Sequence, residues 1–513
     1  MKENNYKTDF ISALSLLILI CVYPFFVTNN YHNITISKYY FFNIASVLLF
    51  FICSFALLID DKRGDNLNRI KSKFGTADFF ACLFLIEAIV SCMFSADRMH
   101  ALSGTEGRHM GLVTFIAMVT AYFLVSKFYT CREIDMAIFA ASVIFMTLFG
   151  FLQFLGFDPM NMLSTVAYQS RSYFIGFVGN VDVYSSYLCL AVPLVAELAL
   201  LSRSDKLRIL WYVAVGAGFL GFFSSNSDSG VMGLTVCLFI LFIQSCKHPV
   251  YFRRFWTVIA VFFISSVLFY SVNYFRRYEA RTVESVFKYL LNPAIFICGM
   301  AICAIIIILL TKFDIKQRTL RIIRISALVL TGLLAAATII AFIYFTFFDR
   351  FTLLGYFGNY LRFDNYWGSH RGFIWKKCLS AYGSLPAFKK LIGFGEDMVP
   401  SLLISKFGTS FFPDEFIYNI DNAHSELVQY LVTVGFWGLI SYLGVFITVI
   451  VKGIKSDSII KKAVCLSVFG YFVQGLVNIT QPITTPLMFV FLGLAAADVG
   501  KNYDKTLSSD TEE

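Results

Sequence analysis

The chain has 513 residues, of which 58% are hydrophobic and only 15% are Asp, Glu, Lys or Arg, and its mean hydropathy is +0.70. Soluble domains carry roughly 25% charged residues to cover their surface, so this composition excludes a string of soluble domains, a disordered polymer and a coiled coil. The formal charge of +9, from 42 basic against 33 acidic residues, then bears on membrane topology rather than on nucleic acid.

A helix that crosses the hydrocarbon core needs about 20 largely apolar residues, because its backbone must satisfy its own hydrogen bonds there. Fourteen runs meet this description: 10–28, 39–59, 77–95, 111–129, 136–155, 181–201, 209–225, 230–246, 255–273, 292–311, 325–348, 426–451, 463–479 and 484–500. Short breaks at Asn226–Ser229 and near Gln481-Pro482 make the count 12–14. The expectation is an all-α polytopic membrane protein. Its parts are eleven spans in 1–348, a long extracytoplasmic loop at 349–425, three spans in 426–500, and a polar cytoplasmic tail at 501–513.

Lys and Arg accumulate on the cytoplasmic side of membrane proteins. With the N-terminus inside, most basic residues fall on inner segments, in blocks such as Lys62 to Lys73, Arg203 to Arg208, Lys312 to Arg324 and Lys452 to Lys462. Both termini are then cytoplasmic. The exterior loop Tyr274 to Leu291 departs from the rule with Arg276, Arg277, Arg281 and Lys288. Positive charge retained there suits the handling of something anionic. The 12 cysteines contain no CxxC pair, so neither a zinc site nor a disulfide framework is expected.

The loop after 349 exceeds the length at which connections are usually structureless. Arg371 to Tyr382 and Met398 to Phe407 read as short amphipathic helices separated by the Gly393-Phe394-Gly395 turn. Asp421-Asn422-Ala423-His424-Ser425-Glu426 follows, directly before a span. Asp421 or Ser425 is expected to cap that helix. His424 is either an ordinary hydrogen-bonding group or a base at the outer face. The other exterior cations are Arg98, Arg108, Arg171, Arg362 and Arg371, with His109 and His370 beside two of them. Guanidinium binds phosphate oxygens bidentately, so several together would clamp a diphosphate, whereas singly they serve as interfacial anchors. Gly179-Asn180 either begins a helix or admits a ligand. Glu197 is expected to reach water near the cytoplasmic end. Glu87 lies deeper and is the main argument for a transporter or flippase for lipid-linked sugars.

These residues coincide with a family pattern. NAHSELVQYLVTVGFWGL (Asn422 to Leu439) and HRGFIWKKCLSAYGSLPAFKKLIGFGEDM (His370 to Met398), with GRHMGLVTFIAMVTAYFLV, FIGFVGNVDVYSSYLCLAVPL and SNSDSGVMGL upstream, make the chain resemble the bacterial O-antigen ligase and polysaccharide polymerase family. The resemblance covers about Arg108 to Leu439. It implies a GT-C-like fold and a glycosyltransferase at the outer face of the bacterial cytoplasmic membrane. The implied donor is a polyprenyl-diphosphate-linked glycan, and the acceptor is a glycan or lipid-linked glycan hydroxyl among membrane lipids, with no nucleic acid, cofactor or metal. By similarity Arg371 and Arg108 neutralise the diphosphate and His424 is the general base. Arg362, Arg171, His370, Asn180 and Glu426 complete the expected substrate-binding set. The chain has Ser425 where the family has Asn, and Asp228 where a basic residue is common. Repeat-unit polymerase is preferred to transfer of a finished glycan to a lipid or protein acceptor.

Overall fold

The computed structural model describes residues 6–60, 70, 72–276, 281–348, 358–408 and 420–499. The chain is highly helical, and the described strands are two-residue pairings. Ten described helices are long and apolar enough to cross a membrane, which is consistent with a multi-pass membrane protein. They coincide with ten of the fourteen expected runs. The other four runs are shorter helical segments: Asp9–Phe25, Leu112–Phe128, Ile459–Gly475 and Thr485–Ala496. Basic positions 62–69 and 71, Arg277, and the tail from 501 lie outside the described residues.

The Val181–Leu201 helix is buried from Val183 to its end and forms the hub. It packs against Asp205–Ser225, Asp228–Ser245 and Ile459–Gly475. The approach to the last two depends on missing side chains. A Cβ on Gly233 would meet Cys189 Sγ at 2.7 Å and the Gly470 carbonyl at 2.9 Å, and one on Gly470 would meet the Cys189 carbonyl at 2.9 Å. Small residues permit such close helix contacts where lipid supplies no hydrophobic drive between helices. At the opposite extreme, the 31-residue Gln317–Phe347 helix is exposed almost throughout, with Leu320 its buried residue. Its apolar surface suits lipid.

The first helix, Tyr6–Leu17, loosens into a π turn at Ile18–Val22 and a 3-10 turn at Tyr23–Phe25. Such turns leave carbonyls short of helical partners. The fully buried Lys38 ammonium donates to two of them, Tyr23 O at 3.1 Å and Pro24 O at 2.6 Å. The Tyr23 hydroxyl in turn donates to the Pro482 carbonyl at 2.8 Å, joining the start of the bundle to its last hairpin.

Glu197 is a correction to the expectation that it reaches water: it is fully buried. The Gln244 amide, turned with its nitrogen towards the carboxyl, donates to both oxygens. A neighbouring helix therefore supplies the polar contacts that water was expected to provide.

The 358–408 region is folded rather than draped. Trp367–Gly383, Ala387–Ile392 and Val399–Phe407 are helical. Phe373, Cys378, Leu402, Leu403, Ala423 and Val432 belong to a second small core. Gly393 and Gly435 cross at backbone contact with φ of 87° and 78°, where a Cβ on either would come within 2.3 Å of main-chain atoms of the other segment. Only glycine tolerates both the left-handed backbone and the approach. Phe394 and Gly395 amides then donate to the Val432 and Thr433 carbonyls at 3.0 and 3.1 Å, fastening the loop to the membrane helices.

Candidate functional site

The site is assembled from segments far apart in sequence at the end of the bundle where the Val181–Leu201 and Asp228–Ser245 helices begin. His424 stands in the polar stretch before the Glu426–Thr433 helix, with a left-handed backbone at φ 50°. Its amide donates to the Asn422 side chain at 2.8 Å, and the Ala423 amide donates to Gln429 at 3.0 Å. Ser425 occupies the position ahead of that helix but makes no side-chain cap bond. The chain's entry is fixed instead by Asn422 and Gln429, and Asp421 is engaged elsewhere.

Arg371 reaches the site through an unusual piece of backbone. Gly368, Ser369 and His370 are left-handed in succession (φ 57°, 56° and 70°), inside an otherwise helical segment. Runs of this kind are costly for side-chain-bearing residues and persist only where surroundings enforce them. One enforcing contact is at Gly372, whose missing Cβ would lie 1.9 Å from the Asp364 carbonyl. The turn brings the Gly368 carbonyl to Arg371 Nη1 at 2.7 Å. Arg371 Nε is buried and has no hydrogen-bond partner among the described residues. Asp182, Asp228 and Tyr360 are the charged and phenolic groups facing this guanidinium.

Arg108 precedes the Leu112–Phe123 helix. Its Nη1 donates to Asp421 at 2.7 Å, Nη2 donates to the Thr480 carbonyl at 3.4 Å, and its buried Nε is also unpartnered among the described residues. His424 therefore lies between two arginines, with Asp421 and Asp182 opposing them. Burial, then Arg371, depress its imidazole to about 4; Arg108 acts in the same sense against Asp421 and Asp182. At neutral pH the ring is uncharged and able to accept a proton.

Asp182 and Asp228 organise the floor. The Ser227 hydroxyl donates to Asp182 at 2.5 Å, and the Asp182 carbonyl accepts from Asn478 at 3.1 Å. Asp228 accepts from the Val286 amide at 2.9 Å and from the Tyr360 hydroxyl at 2.8 Å, which ties the long loop to the bundle. Sequence reading noted Asp228 only as a departure from the family pattern and passed over Asp182, because a carboxylate in the first turn of a helix is already explained by the helix dipole.

The remaining expected residues occupy distinct settings. Asn180 accepts from the Asp182 amide at 2.7 Å as the cap of the Val181–Leu201 helix. Glu426, two residues after His424, is buried and accepts hydroxyl bonds from Tyr442 at 2.7 Å and Tyr471 at 3.0 Å. Arg362 pairs with Asp364 at 2.6 Å. Arg171 donates to the Val166 carbonyl at 3.3 Å and lies over the Tyr168 ring. His370 is half-buried, its ring edge-on to Tyr366.

Two further acids are Glu396 and Asp397, of which Asp397 feels the charge of Arg108. Asp397, left-handed at φ 57°, accepts from the Thr105 amide at 2.7 Å and the Met110 amide at 3.4 Å. Glu396 is fully buried, and both its carboxyl oxygens are without hydrogen-bond partners among the described residues. Burial pushes the Glu396 carboxyl well above the usual carboxylate range, and it raises Asp397 against the pull of Arg108 and those amides. Among the described residues no group of three or more His, Cys, Asp or Glu side chains is placed to hold a metal ion.

No protein-family model matches the chain, and no curated protein matches it.

Proposed function

We propose that the chain is a membrane glycosyltransferase that moves a glycan from a polyprenyl diphosphate onto a sugar hydroxyl, with polymerisation of repeat units as its preferred use. The observation that carries this reading is the meeting of one uncharged histidine with two arginines whose buried Nε groups lack partners. The arginines are donors for phosphate oxygens, and the histidine is an acceptor for a hydroxyl proton. In the reaction His424 removes the proton as the acceptor oxygen attacks the anomeric carbon. The bond from that carbon to the diphosphate oxygen breaks, and its electron pair leaves on the diphosphate. Arg371 and Arg108 stabilise the charge that develops there. Direct displacement inverts the anomeric centre.

The electrostatics link the two substrates. Without donor, burial and then the two arginines hold the imidazole near 4. A diphosphate docked on them offsets part of their field, so the ring becomes a stronger base when the donor is bound. Acceptor activation then follows donor binding. The exposed apolar helices suit a polyprenyl tail that arrives from the lipid, and the proposed setting is the outer face of a bacterial cytoplasmic membrane.

The test is a reconstituted assay with radiolabelled polyprenyl-diphosphate oligosaccharide. Lengthened lipid-linked glycan supports polymerisation, and label on a different lipid or protein acceptor supports ligation. Full turnover by both His424→Ala and Arg371→Ala would overturn the site assignment.

A further inference from the structure

The Asp228–Ser245 helix leaves one face uncovered. Its other sides pack against Val181–Leu201, Ile459–Gly475 and Pro249–Phe275. Asp228, Met232, Thr235, Phe239 and Ile243 nevertheless escape burial, and their spacing of three and four residues puts them on a common face. The Gln317–Phe347 helix shows the complementary anomaly. On one of its faces Leu320, Ala327, Phe342 and Thr346 are buried or half-buried near the two ends, whereas Thr331, Ala335 and Thr338 continue that face between them and are exposed. Leu328 to Ile340 are exposed without interruption among the described residues, about 20 Å of helix. Lipid accounts for exposure on the outward side. Exposure on the inward side means that the helix stands off from the bundle there.

Both ends of the gap are closed. At the end away from His424 the Gln317 amide donates to the Lys247 carbonyl at 2.8 Å, and Leu320 packs with Cys246 and Phe252. Just above them Leu328 shares a cavity of about 330 Å³ with Phe239 and Ile243. At the end near His424 the Phe363 amide donates to the Thr346 hydroxyl at 3.0 Å, and the Phe363 ring lies against Phe342 and Trp367. Three residues earlier the Tyr360 hydroxyl donates to Asp228 at 2.8 Å. Segment 360–363 is thus a lintel between the two helices, and the gap is a slot in a closed frame. From Trp367 the rings continue to Trp375, whose Nε1 donates to the Ala423 carbonyl at 3.0 Å, next to His424.

We propose that this slot holds the polyprenyl chain of the donor. The proposal rests on the reading that the donor diphosphate docks on Arg371 and Arg108. Continuity with that site selects the occupant, because the uncovered face of the Asp228–Ser245 helix begins at Asp228, which faces Arg371. The lintel selects against an ordinary phospholipid. A lipid whose headgroup stands in the outer layer would meet segment 360–363, whereas a chain tethered to a headgroup already inside the site passes beneath it.

The full chain, purified in neutral detergent, is titrated with a polyprenyl diphosphate and with inorganic diphosphate. Thr331→Trp/Ala335→Trp fills the slot at exposed positions. It is expected to weaken polyprenyl diphosphate at least about tenfold, a difference of about 1.4 kcal/mol, and to leave inorganic diphosphate unchanged. Leu333→Trp/Ile340→Trp, on the opposite face, is expected to change neither. A polyprenyl diphosphate with a diazirine on its tail tests the wild-type chain without any variant, and its label is expected on Met232, Thr235, Thr331 or Ala335. Unchanged polyprenyl affinity in the slot variant, label confined to other surfaces, or equal labelling of these residues by a photoreactive phosphatidylglycerol would each overturn the slot while diphosphate still binds through the arginines. Inorganic diphosphate binding that survives Arg371→Ala/Arg108→Ala is a different failure: it overturns the site reading and this proposal with it.

Discussion

Arg108 and Asp421, separated by 313 residues in the chain, are joined at 2.7 Å beside His424. The arginine side chain is largely buried and the aspartate half exposed, so the pair adds little to stability, on the order of 1 kcal/mol or less. Its larger effect is electrostatic, because Asp421 supports the protonated form of His424 against both arginines. Asp421→Asn is therefore expected to lower the His424 pKa further while leaving thermal stability nearly unchanged. Titration of ring-labelled histidine by NMR reads the first effect, and a melting curve reads the second.

Replacement of His424 by Gln, which cannot take up a proton, is expected to reduce glycan transfer by about 10²–10⁴-fold. Arg371→Lys keeps the charge but loses the planar fork, and should cost about 10²-fold in turnover. Comparison of single-turnover rates with donor-binding constants locates the losses, which belong mainly in the chemical step for His424→Gln.

Two buried groups give stability opposite pH dependences. The unfolded His424 titrates near 6.5 and the folded ring near 4, so between these values the unfolded chain binds more protons. Stability from this residue is lost as pH falls through that window. Glu396 behaves in reverse: its folded carboxyl is raised, so the folded chain holds the extra proton and stability is lost as pH rises above about 4.3, the unfolded value. Glu396→Gln should flatten the neutral-pH side of the profile, and His424→Gln the acid side. Melting temperatures between pH 4 and pH 8 provide the reading.

Gly372→Ala is expected to be more damaging than its single methyl suggests. The added carbon would overlap the Asp364 carbonyl, 1.9 Å away, so the turn that carries Arg371 must move. Transfer activity should fall at least about tenfold even where the protein remains folded, since misplacement by about 1 Å at a reacting centre costs up to about 10²-fold. Circular dichroism alongside the activity assay separates the two effects.

Glu426→Ala would strand the Tyr442 hydroxyl in a buried pocket, while the Tyr471 hydroxyl keeps Thr485 at 3.0 Å. A destabilisation of about 1–3 kcal/mol is expected from the one unsatisfied group. Adding Tyr442→Phe should recover much of it, and chemical denaturation of the two variants tests this.

The helices were legible because span length and hydropathy reflect a solvent that tolerates no open backbone. Thr485–Ala496 is shorter than the expected run 484–500 because neighbours surround it and protein contacts serve where lipid would demand full length, while Ile459–Gly475 begins four residues ahead of the expected 463–479. His424, Arg108 and Arg371 stood out as charges at the mouths of apolar runs. Asp182 and Tyr360 did not, since each has an ordinary local explanation and acquires its place only through contacts with distant segments, and Asp228 drew notice only as a departure from a family pattern. Arg362 and Arg171 could not be separated from Arg371 by residue type. Local partners distinguish them: Asp364 for one, Val166 and the Tyr168 ring for the other.

The bond from Tyr23 to the Pro482 carbonyl also sets an order of events during synthesis. At ~5–20 residues per second, the first helix waits roughly half a minute to a minute and a half for the hairpin it will touch, 459 positions later. Through that interval the Tyr23 hydroxyl has no hairpin carbonyl to donate to, and the Pro24 carbonyl of the loosened turn still needs a donor. Lys38 follows only 14 and 15 positions behind its two acceptors, so the newborn helix already carries the donor it keeps in the finished bundle. Replacing that lysine should therefore harm assembly early, before most of the molecule has been made.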